Sequence, residues 1–185
     1  MGAGRERVQP LTIAVPIHRW WLWWLRVSFP LAERVWPVNR ITKRRLLGLR
    51  FIHFAHWGLA TRVPHRGGRR LPVPYVLFHT NYNGDLVSYV DAFSIVVADQ
   101  LRLQLQGSYG FPGPEPLGPF RRYFFEKAFR EDHFWCAYPE ASVKTVVAGM
   151  ALEDELGRLR AAARDGDAAF AAGWERFLER HAERL

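Results

Sequence analysis

Histidine is the side chain best suited to moving protons near neutral pH. Three of the seven histidines sit where a sheet would hold them. His53 lies in LRFIHFAHW, His79 in PYVLFHTNY and His133 in DHFWCAYP, three runs that read as strands. Histidines on neighbouring strands approach one another across a sheet. Tyr109 and Tyr138 would add hydroxyls at the edge of such a pocket. Asn81 would orient a carbonyl from the end of its strand, and His56 would extend the substrate contact. These types together describe acid–base catalysis on an apolar substrate: one histidine takes a proton, and a tyrosine or second histidine returns it. Such a transfer contributes roughly 10²–10⁴-fold in rate.

Metal ligation is not part of that pattern. His53 and His56 are three apart, so on a regular strand they point to opposite faces. No H-E-x-x-H and no carboxylate facial triad is legible. Cys136 is the only cysteine, which excludes a disulfide scaffold and a thiolate zinc site. Within a strand it reads as a small buried hydrophobe. Heme stays open as a cofactor, because it needs only one axial histidine and an apolar pocket. Asn83-Gly84-Asp85 reads as a turn followed by a helix cap, and Asp85 there would repel an anion.

Which elements would position these residues? LRFIHFAHW (49–57) and PYVLFHTNY (74–82) read as two strands, with a Gly/Pro loop over 61–74. A helix follows Asp85, with Leu86, Tyr89 or Val90, Phe93 and Val97 on its apolar face. LRLQLQ (101–106) alternates strictly and predicts a third strand. FRRYFFEKAF (120–129) predicts a short helix, and DHFWCAYP (132–139) a fourth strand. Ser142 would cap a long helix to about Ala163, and a last helix would carry Phe170, Trp174, Phe177 and Leu178. Four short strands with segregated helices point to an α+β fold, a ferredoxin-like antiparallel sheet with helices on one face. The division expected is a basic tryptophan-rich extension over 1–47 and the α+β domain over 48–185. At 185 residues, with 49% hydrophobic side chains and 27 aromatic ones, disorder is excluded.

The formal charge of +8 is unevenly spread. Residues 1–70 carry +12 and residues 71–185 carry −4. Five of the eight tryptophans lie between residues 20 and 36, where Trp20, Trp24, Val27 and Leu31 fall at helical spacing. Arg19, Arg26 and Glu33 recur every seven residues beside them, and Pro30 would kink or end the helix. Indole rings favour the membrane interface and arginine favours anionic headgroups. Lys43, Arg44, Arg45, Arg66, Arg69 and Arg70 add to that charge. Residues 8–18 are uncharged but too few to cross a bilayer and are interrupted by Pro10 and Pro16. The location expected is cytoplasmic, peripheral on the inner face of the membrane. Tryptophans gathered on one helical face with leucine and valine do not suit nucleic acid, which needs stacking platforms spread over a sheet.

RFIHFAHW, YVLFHTNYNGDLVSYVDAFS, YGFPGP, GPF followed by Tyr123, and DHFWCAYPEAS together resemble an uncharacterised bacterial family. That family is similar to dimeric α+β barrel proteins and has kin near dye-decolourising peroxidases. The resemblance spans about residues 15–163 and rests on His53, Asn81, Asn83, Gly84, Asp85, Phe111, Pro112, Gly113, His133, Tyr138 and Pro139. It departs at His56, where the pattern has arginine, and at His79, where it has another polar residue. It implies a homodimer through the open sheet face, and the peroxidase kinship implies heme. Three functions follow as expectations. The first is a metal-independent enzyme, of isomerase, cyclase or oxygenase type, acting on a lipophilic metabolite at an anionic membrane surface. The second is a heme-binding, peroxidase-like protein. The third is a non-catalytic module for a hydrophobic ligand or partner.

Overall fold

Alternation along residues 70–83 is realised in the computed structural model as one long strand. Val76, Phe78 and Tyr82 turn into the core with Thr80, while Leu77 and His79 face the other way. The structure describes residues 7–34, 36–63, 65, 67–129 and 132–181, with the side chains of 36–39, 41–43, 180 and 181 left out. The elements run β1 (Val8–Pro16), α1 (Trp21–Arg34), α2 (Trp36–Leu49), β2 (Ile52–Arg62), β3 (Arg70–Asn83) and α3 (Leu86–Val96). They continue with α4 (Ala98–Leu105), α5 (Leu117–Lys127), β4 (Ala128–Phe129), α6 (Val143–Arg164) and α7 (Asp167–His181). The fold is α+β, with a four-stranded sheet in the order β2-β3-β1-β4 and every pairing antiparallel.

The first strand corrects the expected organisation. Val8–Pro16 pairs with β3 along its whole length, from Val8 opposite Asn83 to Pro16 opposite Tyr75. These residues are an inner strand of the sheet, not part of an extension. Leu11, Ile13, Val15 and Ile17 are buried at steps of two, while Thr12 and Ala14 between them are only half-buried. The chain divides into two compact units at a different place, after Val143.

A second correction concerns LRLQLQ, which is helical and forms most of α4. Tyr89, Phe93, Val97, Leu101 and Leu105 are all buried and fall four apart through α3 and α4. That ladder of fours gives both helices one apolar face against the sheet and outweighs the local alternation. Leu103, the odd member of the alternation, is exposed. Asp85 caps α3 as expected, accepting from the backbone N–H of Val87 at 2.9 Å and Ser88 at 3.0 Å. The Ser88 hydroxyl, together with these backbone bonds, holds the Asp85 carboxyl below its usual range. Asp91 on α3 pairs with Arg121 on α5, and this guanidinium keeps the carboxylate ionised.

α1 runs through Pro30 to Arg34. Its buried residues are Trp21 and Leu25, which join Ile13, Val15, Phe78, Leu105 and Phe120 in one core cluster. Its exposed side carries Trp23, Val27 and Leu31, continued by exposed Trp20 in the turn before it. The stripe expected at Trp20, Trp24, Val27 and Leu31 is therefore outward, except for half-buried Trp24. Two indoles tie α1 to α4: Trp21 Nε1 donates to the Gln104 carbonyl and Trp24 Nε1 to that of Leu103, both at 3.1 Å. The second unit, Lys144–Leu185, is built from α6 and α7, where Leu159 and Phe177 are buried. Gly173 lets these helices approach, since a Cβ there would lie 3.2 Å from Leu159 Cδ2.

Candidate functional site

On the face of the sheet away from the helices, one row of side chains crosses all four strands. His56 on β2 stands opposite His79 on β3, which stands opposite Thr12 on β1, which stands opposite Phe129 on β4. The Thr12 hydroxyl and His79 Nδ1 share a hydrogen bond of 2.6 Å. This bond fixes the imidazole plane and leaves Nε2 for other partners. The His56 and His79 rings lie 5.2 Å apart, and Phe54 lies 5.9 Å from His79. Asn81, one row along, is only 7% exposed and its Oδ1 has no hydrogen-bond partner.

His53 is placed apart from that row by a bulge. Ile52 pairs with Tyr82 and Phe54 with Asn81, so His53 is the extra residue on β2. The bulge reverses the alternation: Ile52 packs on the core, while Phe54 and His56 emerge on the open face. His53 Nε2 is buried and lacks a hydrogen-bond partner.

The remaining candidates are not gathered with these. DHFWCAYP is not a strand; β4 is only Ala128–Phe129, and residues 132–139 pass along the end of β1 with one bond, Val8 N–H to the Pro139 carbonyl. His133 and Tyr138 are exposed in that segment, Tyr138 at 78%. Tyr109 lies in the turn after α4 and packs against His18, with ring centroids 3.9 Å apart and the planes tilted by 40°. No hydrogen bond or ring contact joins Tyr109, Tyr138 or His133 to His53, His56 or His79 among the described residues. Thr12 went unseen in the sequence because its strand did.

The helix side of the sheet holds a cavity of about 230 Å³. Ser28 and Ala32 of α1, Leu46 of α2, Trp57 of β2, Phe93 of α3 and Gln100 of α4 line it. Glu33 and Gln104 are the other polar residues of a mainly apolar wall, and Ser28 Oγ and Gln100 Oε1 are both buried without a hydrogen-bond partner. Two unmet polar atoms on residues around one cavity are costly unless something satisfies them. Nothing in the spacing of Ser28 and Gln100, seventy-two residues apart, could have marked them.

Buried tyrosines on this side are structural. Tyr89 Oη donates to Thr80 Oγ1, which donates to the Phe54 carbonyl. Burial pushes the Tyr89 phenol well above its usual range. Burial, and then the charge of Asp85, pushes Tyr82 up to about 12, and burial brings Tyr123 to about 12. These hydroxyls stay protonated near neutrality. Among the described residues no three His, Cys, Asp or Glu side chains gather as a metal site. A heme is held by an axial histidine, cysteine, methionine or tyrosine in an apolar pocket. None of these lines the 230 Å³ cavity, so that cavity does not fit a heme. No protein-family model, curated protein or solved structure matches the chain.

Proposed function

We propose that the protein binds a compact lipophilic molecule in the cavity between α1, α2, α4 and the sheet. The observation that carries this is the pair of unpartnered polar atoms, Ser28 Oγ and Gln100 Oε1, on two residues of a wall that is mainly apolar apart from these, Glu33 and Gln104. An apolar ligand with one hydroxyl, carboxylic acid or N–H group would bury its body against Trp57, Phe93 and Leu46 and satisfy both. The outward stripe of Trp20, Trp23, Val27 and Leu31 along α1 and the turn before it supports delivery at an anionic membrane surface. No described helix is long and apolar enough to cross the bilayer. The fluorescent lipophile N-phenyl-1-naphthylamine tests this reading. Wild-type protein should enhance its emission, and Ala32→Phe, which fills the cavity, should weaken binding about tenfold or more. Equal binding by both proteins would remove the proposal.

A second reading is favoured by the His56–His79–Thr12 row. The strand order β2-β3-β1-β4, with helices between β1 and β2 and between β3 and β4, supports a ferredoxin-like arrangement and the resemblance to dimeric α+β barrels. Phe54, Leu77 and Phe129 are exposed on the open face beside the histidines, a surface that a second copy would cover. In such a homodimer His79, held by Thr12, would be the base for acid–base chemistry in the enclosed space. Phe54→Lys should then convert a dimer to monomer in native mass spectrometry. A wild-type monomer at tens of micromolar would sink this reading.

A further inference from the structure

A second cavity, of about 140 Å³, is lined by Arg19 in the turn before α1, by Arg26 of α1, and by Arg62 and Arg70 of the β2–β3 hairpin. We propose that this cradle binds a phosphate group, as a monoester or diester. It shares no lining residue with the lipophile cavity and does not rest on that reading.

Charge is the first argument. Arg62 and Arg70 stand directly opposite one another in the strand register, and like charges in that position destabilise a hairpin. Arg19 and Arg26 bring two more cations to the same hollow, and no Asp or Glu lines it. Among the described residues no ion pair joins Arg19, Arg26, Arg62 or Arg70 to a carboxylate. A bound phosphate anion would relieve that repulsion.

Geometry is the second. Arg19 Nη2 donates to the carbonyls of Leu71 and Pro72, each at 3.0 Å. Arg62 Nη1 donates to the Gly68 carbonyl at 3.1 Å. Gly68 has φ +69°, a left-handed turn conformation that suits glycine. Two guanidinium planes are thus held by backbone before any ligand arrives, and their other N–H groups remain for a planar, bidentate grip on oxygen. The cavity has room for more than a single water.

The phosphate could belong to a soluble metabolite or to a lipid headgroup, and α1 and the turn before it present Trp20 and Trp23 next to Arg19 and Arg26. Calorimetric titration of the full chain with inorganic phosphate at low ionic strength reads the site itself. Wild type should bind, and Arg26→Gln/Arg70→Gln should weaken binding at least about tenfold. Arg102→Gln/Arg122→Gln removes equal charge elsewhere and should leave the affinity unchanged. Circular dichroism establishes that each variant is folded. Flotation with vesicles of phosphatidylcholine alone, and of phosphatidylcholine with phosphatidylglycerol, assigns the source. Capture by the anionic vesicles that the Arg26/Arg70 variant loses identifies a headgroup; phosphate binding without capture identifies a soluble ligand. The proposal is overturned if wild type binds no phosphate, or if the two double variants bind it equally.

Discussion

Replacing Phe78 with alanine should cost about 3–5 kcal/mol of stability, the usual range for emptying a buried aromatic site. Phe78 is fully buried at the middle of β3, with Trp57 at 4.4 Å and Phe93 at 5.6 Å between ring centroids. Neither neighbour can collapse freely into the space, because one is fixed by the sheet and the other by the apolar ladder of α3 and α4. For a chain of this size that loss should lower the melting temperature by roughly 6–20 °C. Urea unfolding would measure it directly, and a loss below about 1 kcal/mol would mean that the core is not organised around this ring. Trp57 and Phe93 also line the lipophile cavity, so the same substitution should disturb probe binding in whatever fraction stays folded.

Gly107→Ala should have the second largest effect, about 1–3 kcal/mol from overpacking. A Cβ at Gly107 would fall 2.0 Å from Trp21 Cγ, a distance that forces the indole to move. Trp21 is one of the two buried residues of α1 and also donates to the Gln104 carbonyl. Displacing it loosens the helix that carries Ser28 toward one cavity and Arg26, with Arg19 in the turn before it, toward the other. Probe and phosphate binding should therefore weaken together, whereas Ala32→Phe affects the probe alone. Trp21→Leu in the Gly107→Ala background should restore part of the lost stability, a coupling that a double-mutant cycle detects. Additive effects of the two substitutions would contradict the contact.

Much of the fold was legible where local signals agree with the tertiary outcome. Asp85 as a cap, the apolar face of α3, the existence of α6 and α7, and the strands around His56 and His79 all follow from local signals, although of Phe170, Trp174, Phe177 and Leu178 on α7 only Phe177 is buried. β1 was missed because Thr12 and Ala14, the residues between its buried ones, are small and uncharged beside two prolines. The alternation of Leu11, Ile13, Val15 and Ile17 is present but lacks polar contrast. LRLQLQ misled for the opposite reason: its contrast is perfect locally, yet Leu101 and Leu105 continue a helical ladder that starts at Tyr89. DHFWCAYP had strand composition but no adjacent strand with which to pair beyond Ala128–Phe129.

The candidate site was partly visible for the same reasons. That His56 and His79 belong to neighbouring strands could be read, but their register could not. It depends on the extra residue at His53, and a bulge leaves no mark in composition. The polar pairs that matter most, Thr12 with His79 and Ser28 near Gln100, join residues far apart in the chain. The sheet brings the first pair together, and the packing of α1 and α4 places the second around one cavity.

The position of β1 also bears on how the chain is made. The strand that ends up inside the sheet leaves the ribosome before the strands it pairs with, and its register on β3 runs from Tyr75 to Asn83. At about 5–20 residues per second, roughly 4–15 s separate the emergence of Val8 from that of Asn83. Throughout that interval Leu11, Ile13, Val15 and Ile17 are an unpaired apolar ribbon, while the β2–β3 hairpin can close as soon as its own residues appear. Slowing translation before residue 83 lengthens that exposure, and holding β1 on a chaperone shortens it.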